Sequence, residues 1–297
     1  MIKSGHLRHV ETANQFRQLT GRRDHFWTGG ARVSAARTIP FVKASACGND
    51  FLLIDGALAP ADVTAFTRRI CDRHDGVGAD GVEWMFPHFS ADVEIRLINS
   101  DGSPAEISGN GTRCVAAYVC AEKRKERIAI LTGAGTKVCA LIARKDAEYE
   151  FEMEMGEARV DPELALTVGA REVRGYPVSM GNPHYVVFVQ DFPQDWQRLA
   201  AEIQGNIRFE RGVNIELVAV DNQHEIRARF YERGAGETRS SGTGSCAAAL
   251  AAMATGRVQS PVKVHAPGGT QVVRKEGNNV FLRGLARLLC RGEFFLI

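Results

Sequence analysis

Two stretches of this 297-residue chain set a serine before a glycine-rich helix start. One reads Ser108-Gly109-Asn110-Gly111-Thr112-Arg113-Cys114 and runs into Val115-Ala116-Ala117. The other reads Ser241-Gly242-Thr243-Gly244-Ser245-Cys246 and runs into Ala247-Ala248-Ala249. A helix start leaves backbone N–H groups without intrahelical acceptors, and the helix dipole adds partial positive charge there. Each start therefore suits an anion such as a carboxylate or a phosphate. Facing each other across a cleft, the pair would grip one carboxylate from both sides, with Ser108 and Ser241 flanking the carbon that bears it. A plainer role competes at each serine, because serine is a favoured N-cap. Glycine patterns of a phosphate loop or a dinucleotide site are missing: GxxxxGK[ST] does not occur, and Gly109-x-Gly111 lacks the third glycine in phase.

Other polar clusters punctuate the chain. They are Gly48-Asn49-Asp50, Asn99-Ser100-Asp101-Gly102, Gly181-Asn182-Pro183-His184, Asn214 after Arg211-Gly212-Val213, and the run from Glu232-Arg233 to Glu237-Thr238. Each alone reads as turn chemistry. A lone His184 is more often structural than catalytic, and Glu232 beside Arg233 reads by itself as a solvated pair of little energetic weight. Taken together they place neutral amides and one ion pair near two helix starts, which suits a small zwitterion such as an amino acid.

The elements that must position these groups follow from periodicity. Strands are expected at Ile39–Ala44, Phe51–Asp55, Asp92–Asn99, Tyr149–Met155, Tyr185–Val189, Asn214–Val220, His224–Tyr231 and Val262–His265. Gln271–Arg274 and Asn279–Arg283 flank a Gly-Asn-Asn turn and predict a hairpin. Helices are expected at Gly109–Lys123 and Gly242–Thr255, both Ala-rich and without a charged face, hence buried, and at Ala61–Arg73 and Gln194–Gln204 as amphipathic helices. The two Ser-Gly-x-Gly starts lie about 130 residues apart, an internal repeat that predicts two similar domains, each wrapping strands round a central helix.

Composition narrows the function classes. A net charge of +2 lacks the basicity of a nucleic-acid binder, and no apolar run reaches membrane-spanning length. The cysteines are odd in number, irregularly spaced and without a CxxC pair, which predicts reduced thiols in the cytoplasm and no zinc site. Residues 1–38 carry seven Lys or Arg against Glu11 and Asp24 and have no apolar period. A disordered extension or an upstream start codon is the preferred reading over a transit peptide, given the shortage of serine and of amphipathic pattern.

The motifs resemble those of diaminopimelate epimerases. The resemblance rests on Gly48-Asn49-Asp50-Phe51, on Asp72-Arg73-His74 with Gly76-Val77-Gly78-Ala79-Asp80-Gly81, and on Asn99-Ser100-Asp101-Gly102-Ser103. It rests further on Ala105 to Cys114, Gly181-Asn182-Pro183-His184, and Glu232 to Cys246, all in the family's order from Ile39 onward. It implies an α/β fold of two pseudo-symmetric domains, each a curved, mostly antiparallel sheet round a central helix, divided as 39–154 plus 287–297 and 155–286. It implies cofactor-independent, metal-free interconversion of LL- and meso-diaminopimelate in lysine and cell-wall synthesis, and a homodimer. By motif position, Asn49, Asn99, Asn182, Asn214, Glu232 and Arg233 would hold the distal amino-acid end. Gly109, Asn110, Gly242 and Thr243 would bind the carboxylate at the reacting carbon, and His184 would sit near it.

The departure lies at the reactive pair, where the family pattern has cysteine before Gly109 and before Gly242 and this chain has Ser108 and Ser241. Epimerisation takes a proton from one face of the α-carbon and returns one to the other. A thiol with a free pKa near 8.5 suits both tasks, whereas a serine hydroxyl needs an adjacent general base. Cys114 and Cys246 keep their family places inside the helices and cannot take over without moving the substrate. The double serine is compatible with a trapping substitution, with a divergent enzyme that racemises, isomerises or dehydrates another amino acid using His184 or Glu237 as base, or with a binding protein that keeps the pocket without turnover.

Overall fold

The computed structural model describes residues 37–296. The first half contains β1 (Thr38–Ala46), β2 (Asn49–Asp55), α1 (Val63–Cys71), β3 (Gly81–Phe86), β4 (Val93–Asn99), β5 (Pro104–Ala105), α2 (Gly109–Lys123), β6 (Arg127–Thr132), β7 (Gly135–Lys145) and β8 (Glu148–Glu157). The second contains β9 (Arg159–Val160), β10 (Leu164–Val168), β11 (Arg171–Ser179), β12 (Pro183–Phe188), α3 (Trp196–Gln204), β13 (Asn214–Asn222), β14 (Glu225–Glu232), β15 (Gly236–Thr238), α4 (Gly242–Ala254), β16 (Val262–Ala266) and β17 (Gly269–Glu276). The last strand, β18 (Asn279–Phe295), pairs antiparallel with β17, β8 and β1 and so stitches the halves together. The α/β class with mostly strands and few helices is as the sequence predicts. The expected N-terminal extension lies outside the described residues except for Arg37 and Thr38, and Thr38 already pairs with Phe295.

Of the four apolar clusters among the described residues, two centre on the Ala-rich helices. Around α2 pack Phe51, Leu53, Ile95, Leu97, Ile128 and Phe151. Around α4 pack Val186, Val218, Ile226, Phe230, Val264 and Leu282. Both helices are buried on nearly all sides. Alanine is the best helix former and the smallest side chain after glycine, so a curved sheet can close on such a rod from several directions. Arg124 ends α2 in the left-handed conformation with φ 52°, a common stop signal.

The halves repeat each other in register. Phe51 pairs with Gly81 across parallel strands as His184 pairs with Asn214. Leu97 pairs with Ala105 as Phe230 pairs with Thr238. One constant shift in residue number carries Asn49 onto Asn182, Phe51 onto His184, Glu83 onto Glu216, Asn99 onto Glu232, Ser108 onto Ser241 and Gly111 onto Gly244.

Several strands carry no alternation that a sequence pattern could reveal. β3 is buried at five successive positions because α1 and α2 cover its two faces. Cys47 (φ 48°) and Gly48 (φ 84°) form the two-residue loop joining β1 to β2, the positive-φ hairpin turn that matches strand twist. A Cβ on Gly48 would stand 2.7 Å from the Gly268 Cα, so this loop and the β16–β17 turn meet without side chains between them.

Candidate active site

The starts of α2 and α4 converge. A Cβ placed on Gly242 would stand 3.9 Å from the Gly109 Cα. The two starts form the floor of an open cleft of about 730 Å³, lined from both halves by Asn49, Asn99, Ser108, Gly109, Asn110, Asn182, Asn214, Glu232, Arg233, Ser241, Gly242 and Thr243. The N–H groups of Gly109, Asn110, Gly242 and Thr243 belong to first helical turns and have no intrahelical acceptor. They present a double anion site, strengthened by two helix dipoles.

Both serines cap their own helices. Ser108 Oγ accepts from Gly111 N–H at 3.1 Å, and Ser241 Oγ accepts from Gly244 N–H at 3.1 Å. Their hydroxyl protons differ in fate. Ser241 donates to Glu232 Oε2 at 3.1 Å, while Thr238 donates to Glu232 Oε1 at 2.6 Å. Among the described residues the Ser108 hydroxyl donates to no side chain or carbonyl.

The amides of the cleft are already engaged. Asn110, 3% exposed, donates to Asn49 Oδ1 at 2.6 Å and to Ser240 Oγ at 2.8 Å, and accepts from Arg113. Its contribution to an anion is therefore the backbone N–H. Asn49 donates on to Asp80 at 3.0 Å, and Asn99 donates to Ser103 Oγ at 3.1 Å. Asn182 leans on Thr243 Oγ1 at 3.4 Å, and Asn214 Oδ1 accepts from Arg233 N–H at 2.9 Å. Arg233 Nη1 donates to the Arg211 carbonyl at 2.9 Å, which fixes the guanidinium at the cleft wall.

Two expected site residues lie elsewhere. His184 is 1% exposed and stands behind Asn182, with Nε2 3.0 Å from Asn182 Oδ1 and Nδ1 2.7 Å from Glu216 Oε1. It does not reach the cleft surface because β12 points it inward against α4. Burial raises the Glu216 carboxyl above its ordinary range, and the His184 contact opposes that rise. Glu237 is exposed on β15 and accepts from Gln197 at 3.0 Å, turned away from the cleft by strand alternation. It is in no position to act as the base.

The cysteines cannot replace the serines. Cys114 and Cys246 are fully buried, and burial pushes the Cys246 thiol up to about 12 and that of Cys114 higher still. The sequence reading passed over Glu106, Lys137 and Met155, which also line the cleft. Lys137 and Met155 come from β7 and β8, where nothing in the local pattern marks them. Behind Gly111 stands a further group that it missed, Glu83, whose fully buried carboxyl has no partner on either oxygen among the described residues. Burial pushes it up to about 8. Among the described residues no group of three His, Cys, Asp or Glu side chains is placed to hold a metal ion, and no helix is long and apolar enough to cross a membrane.

Comparison with known proteins agrees in sequence and in shape. Residues 41–160 and 176–289 match the family described as diaminopimelate epimerase. A diaminopimelate epimerase of Pelotomaculum thermopropionicum is 37% identical over 274 residues, covering 86% of this chain and 98% of that protein. Another, of Sphingopyxis alaskensis, is 34% identical over 267 residues, covering 85% and 96%. Among solved structures, a phenazine biosynthesis protein of the PhzF family from Bacillus anthracis superposes with a TM-score of 0.67 at 15% identity, covering 88% of this chain and all of that one. A hydroxyproline epimerase from Agrobacterium vitis gives 0.64 at 18% identity, covering 87% and 91%. These two share the fold.

Proposed function

We propose, from the premise that this chain belongs to the diaminopimelate epimerase family of amino-acid isomerases, that it binds diaminopimelate with its α-carbon between Ser108 and Ser241. The reaction assigned to it is cofactor-independent proton transfer between the two faces of that carbon, interconverting the LL and meso forms. The observation that carries the reading is the convergence of the α2 and α4 starts, with one serine on each flank. A carboxylate held by both starts presents its α-carbon to both hydroxyls. As negative charge develops on that carboxylate, the same N–H groups stabilise it. Arg233 and the amides of Asn49, Asn99, Asn182 and Asn214 take the distal amino-acid end, while Glu232, which accepts from Ser241 and Thr238, stands at the reacting side. His184 acts as a positioning residue, holding Asn182 from behind with its ring fixed by Glu216.

Serine keeps the shape of the site and loses the acidity of a thiol. Affinity for diaminopimelate is retained, therefore, and turnover falls far below that of a cysteine pair. Calorimetric titration with LL-diaminopimelate and deuterium incorporation at its α-carbon in deuterated water test both halves of the statement. Absence of binding overturns the substrate, and fast exchange overturns the low turnover.

A second reading, a binding protein without turnover, draws on the capping bonds that hold both serine oxygens to their own helices. Prolonged incubation separates the two readings, since binding with no deuterium incorporated leaves only the second. The two apolar clusters support domain boundaries that place 39–154 with 287–297 in one domain and 155–286 in the other, Met155 packing against both clusters. A cytoplasmic location and a homodimer go with the family reading, and sedimentation of the purified chain checks the dimer.

A further inference from the structure

A buried carboxyl stands behind each helix start. Glu216 Oε1 lies 2.9 Å from the point that a Cβ on Gly244 would occupy, and it is hydrogen-bonded to His184 Nδ1 at 2.7 Å. Glu83 holds the matching place in the other half, with Oε1 2.0 Å from the corresponding point at Gly111. The Ser108 Cβ is 3.3 Å from that same point, so the carboxyl and the serine both border the space that Gly111 leaves open, without a hydrogen bond between them. Phe51 occupies the position that His184 has in the second half. Among the described residues no imidazole therefore faces Glu83, and both its oxygens lack partners.

Burying an unpartnered carboxyl is costly, and a core position with no function selects against it. Its neighbours do not supply a counter-charge. Leu53 on β2 and Leu97 on β4 flank Glu83 in the sheet. On α2 the nearby titratable group is the Cys114 thiol, while Arg113 turns its guanidinium to Asn110 and Cys47. The Ser108 hydroxyl, for its part, has a proton without an acceptor among the described residues. Among the described residues, a partnerless buried carboxyl and a hydroxyl that opens to the cleft thus flank one glycine.

We propose that Glu83 is a positioning residue that exchanges a proton with the Ser108 hydroxyl during α-proton transfer, an assignment that rests on the epimerase reading above. The resting arrangement sets the direction. On the Ser241 side the C–H bond of the α-carbon breaks and its proton goes to Ser241 Oγ. The Ser241 O–H bond breaks in turn, and that proton goes to Glu232, which accepts on both oxygens at rest. The electron pair moves into the substrate carboxylate held by the helix starts. On the opposite face Ser108 gives its hydroxyl proton to the carbon, and the Glu83 O–H proton passes to Ser108 Oγ. Glu232 gains one proton and Glu83 loses one, and the reverse turnover resets both. Burial places the Glu83 carboxyl near the thiol range that serine itself cannot reach.

The full chain labelled with ¹³C in its glutamate carboxyls tests the coupling, the signal missing from Glu83→Gln identifying Glu83. Its titration is expected to move by roughly half a pH unit or more in Ser108→Ala. Deuterium incorporation into diaminopimelate is expected to slow about 10-fold or more in Glu83→Gln. It should also lose its pH dependence in the region where Glu83 titrates, with calorimetric affinity unchanged. Glu83→Leu fills the site without a proton and should slow exchange equally. Exchange at the wild-type rate in Glu83→Leu, or a Glu83 titration indifferent to Ser108→Ala, overturns the proposal. If the wild-type chain neither binds nor exchanges diaminopimelate, the epimerase reading falls, and the carboxyl titration alone still decides whether Glu83 and Ser108 are coupled.

Discussion

Asn110 Nδ2 donates to Ser240 Oγ across 2.8 Å, a buried bond that ties the start of α2 to the residue preceding the cap of α4. The same amide group donates to Asn49, and its oxygen accepts from the fully buried Arg113. One side chain thus fixes the spacing of the two helix starts and satisfies groups from both halves. Removing it strands a buried guanidinium with one partner fewer, whereas removing Ser240 Oγ deletes a single bond. Asn110→Ala is expected to lower stability by about 1–3 kcal/mol and Ser240→Ala by about 1 kcal/mol. Urea unfolding followed by far-UV circular dichroism checks the order of the two.

Glu83 makes stability depend on pH in a direction opposite to that of a salt-bridged acid. Its folded carboxyl is raised from 4.5 to about 8, so the folded state holds a proton that the unfolded chain releases. The stabilisation is complete below about 4.5 and is lost as pH rises toward 8, levelling off above it. The loss is on the order of 3–5 kcal/mol for a shift of this size. Glu83→Leu removes the proton and the dependence with it. The difference between variant and wild-type urea midpoints should therefore widen from acid to mildly alkaline pH, and a difference that stays flat across this window contradicts the assignment.

Most of the candidate cleft's lining was legible in the sequence because its parts are backbone devices with fixed residue requirements. The N-cap serines, the glycines of the helix starts and the Ala-rich rods each need particular residues at particular spacing, and α2 and α4 fall within one residue of the expected spans. What local reading could not see was direction. Glu237 and His184 stand in the right motifs, but strand alternation turns one to solvent and the other into the core. Glu83 was hidden for the opposite reason. Its strand is buried along nearly its whole length, so a lone carboxylate between Val82 and Trp84 gives no sign of which face it occupies. Only the parallel between β3 and β13 puts it in the same place as Glu216.

Restoring the thiols tests whether the scaffold still suits the reaction that its family membership suggests. At both positions the side chain caps its own helix, and a sulfur in the same place faces the same dipole, which favours a thiolate. The surroundings are unequal. At position 241 the hydroxyl already donates to Glu232, so a thiol there inherits an acceptor for its proton. At position 108 it inherits the neighbourhood of Glu83 and no direct acceptor. Ser241→Cys alone should therefore raise deuterium incorporation into diaminopimelate more than Ser108→Cys alone. The double variant should exceed wild type by about 100-fold or more, the range of a well-placed acid and base. Helix capping is weaker with sulfur than with oxygen, so each change should also cost about 1 kcal/mol of stability. Equal gains from the two single variants would show that Glu232 does not serve position 241, and no gain from the double variant would point to a different amino acid as substrate.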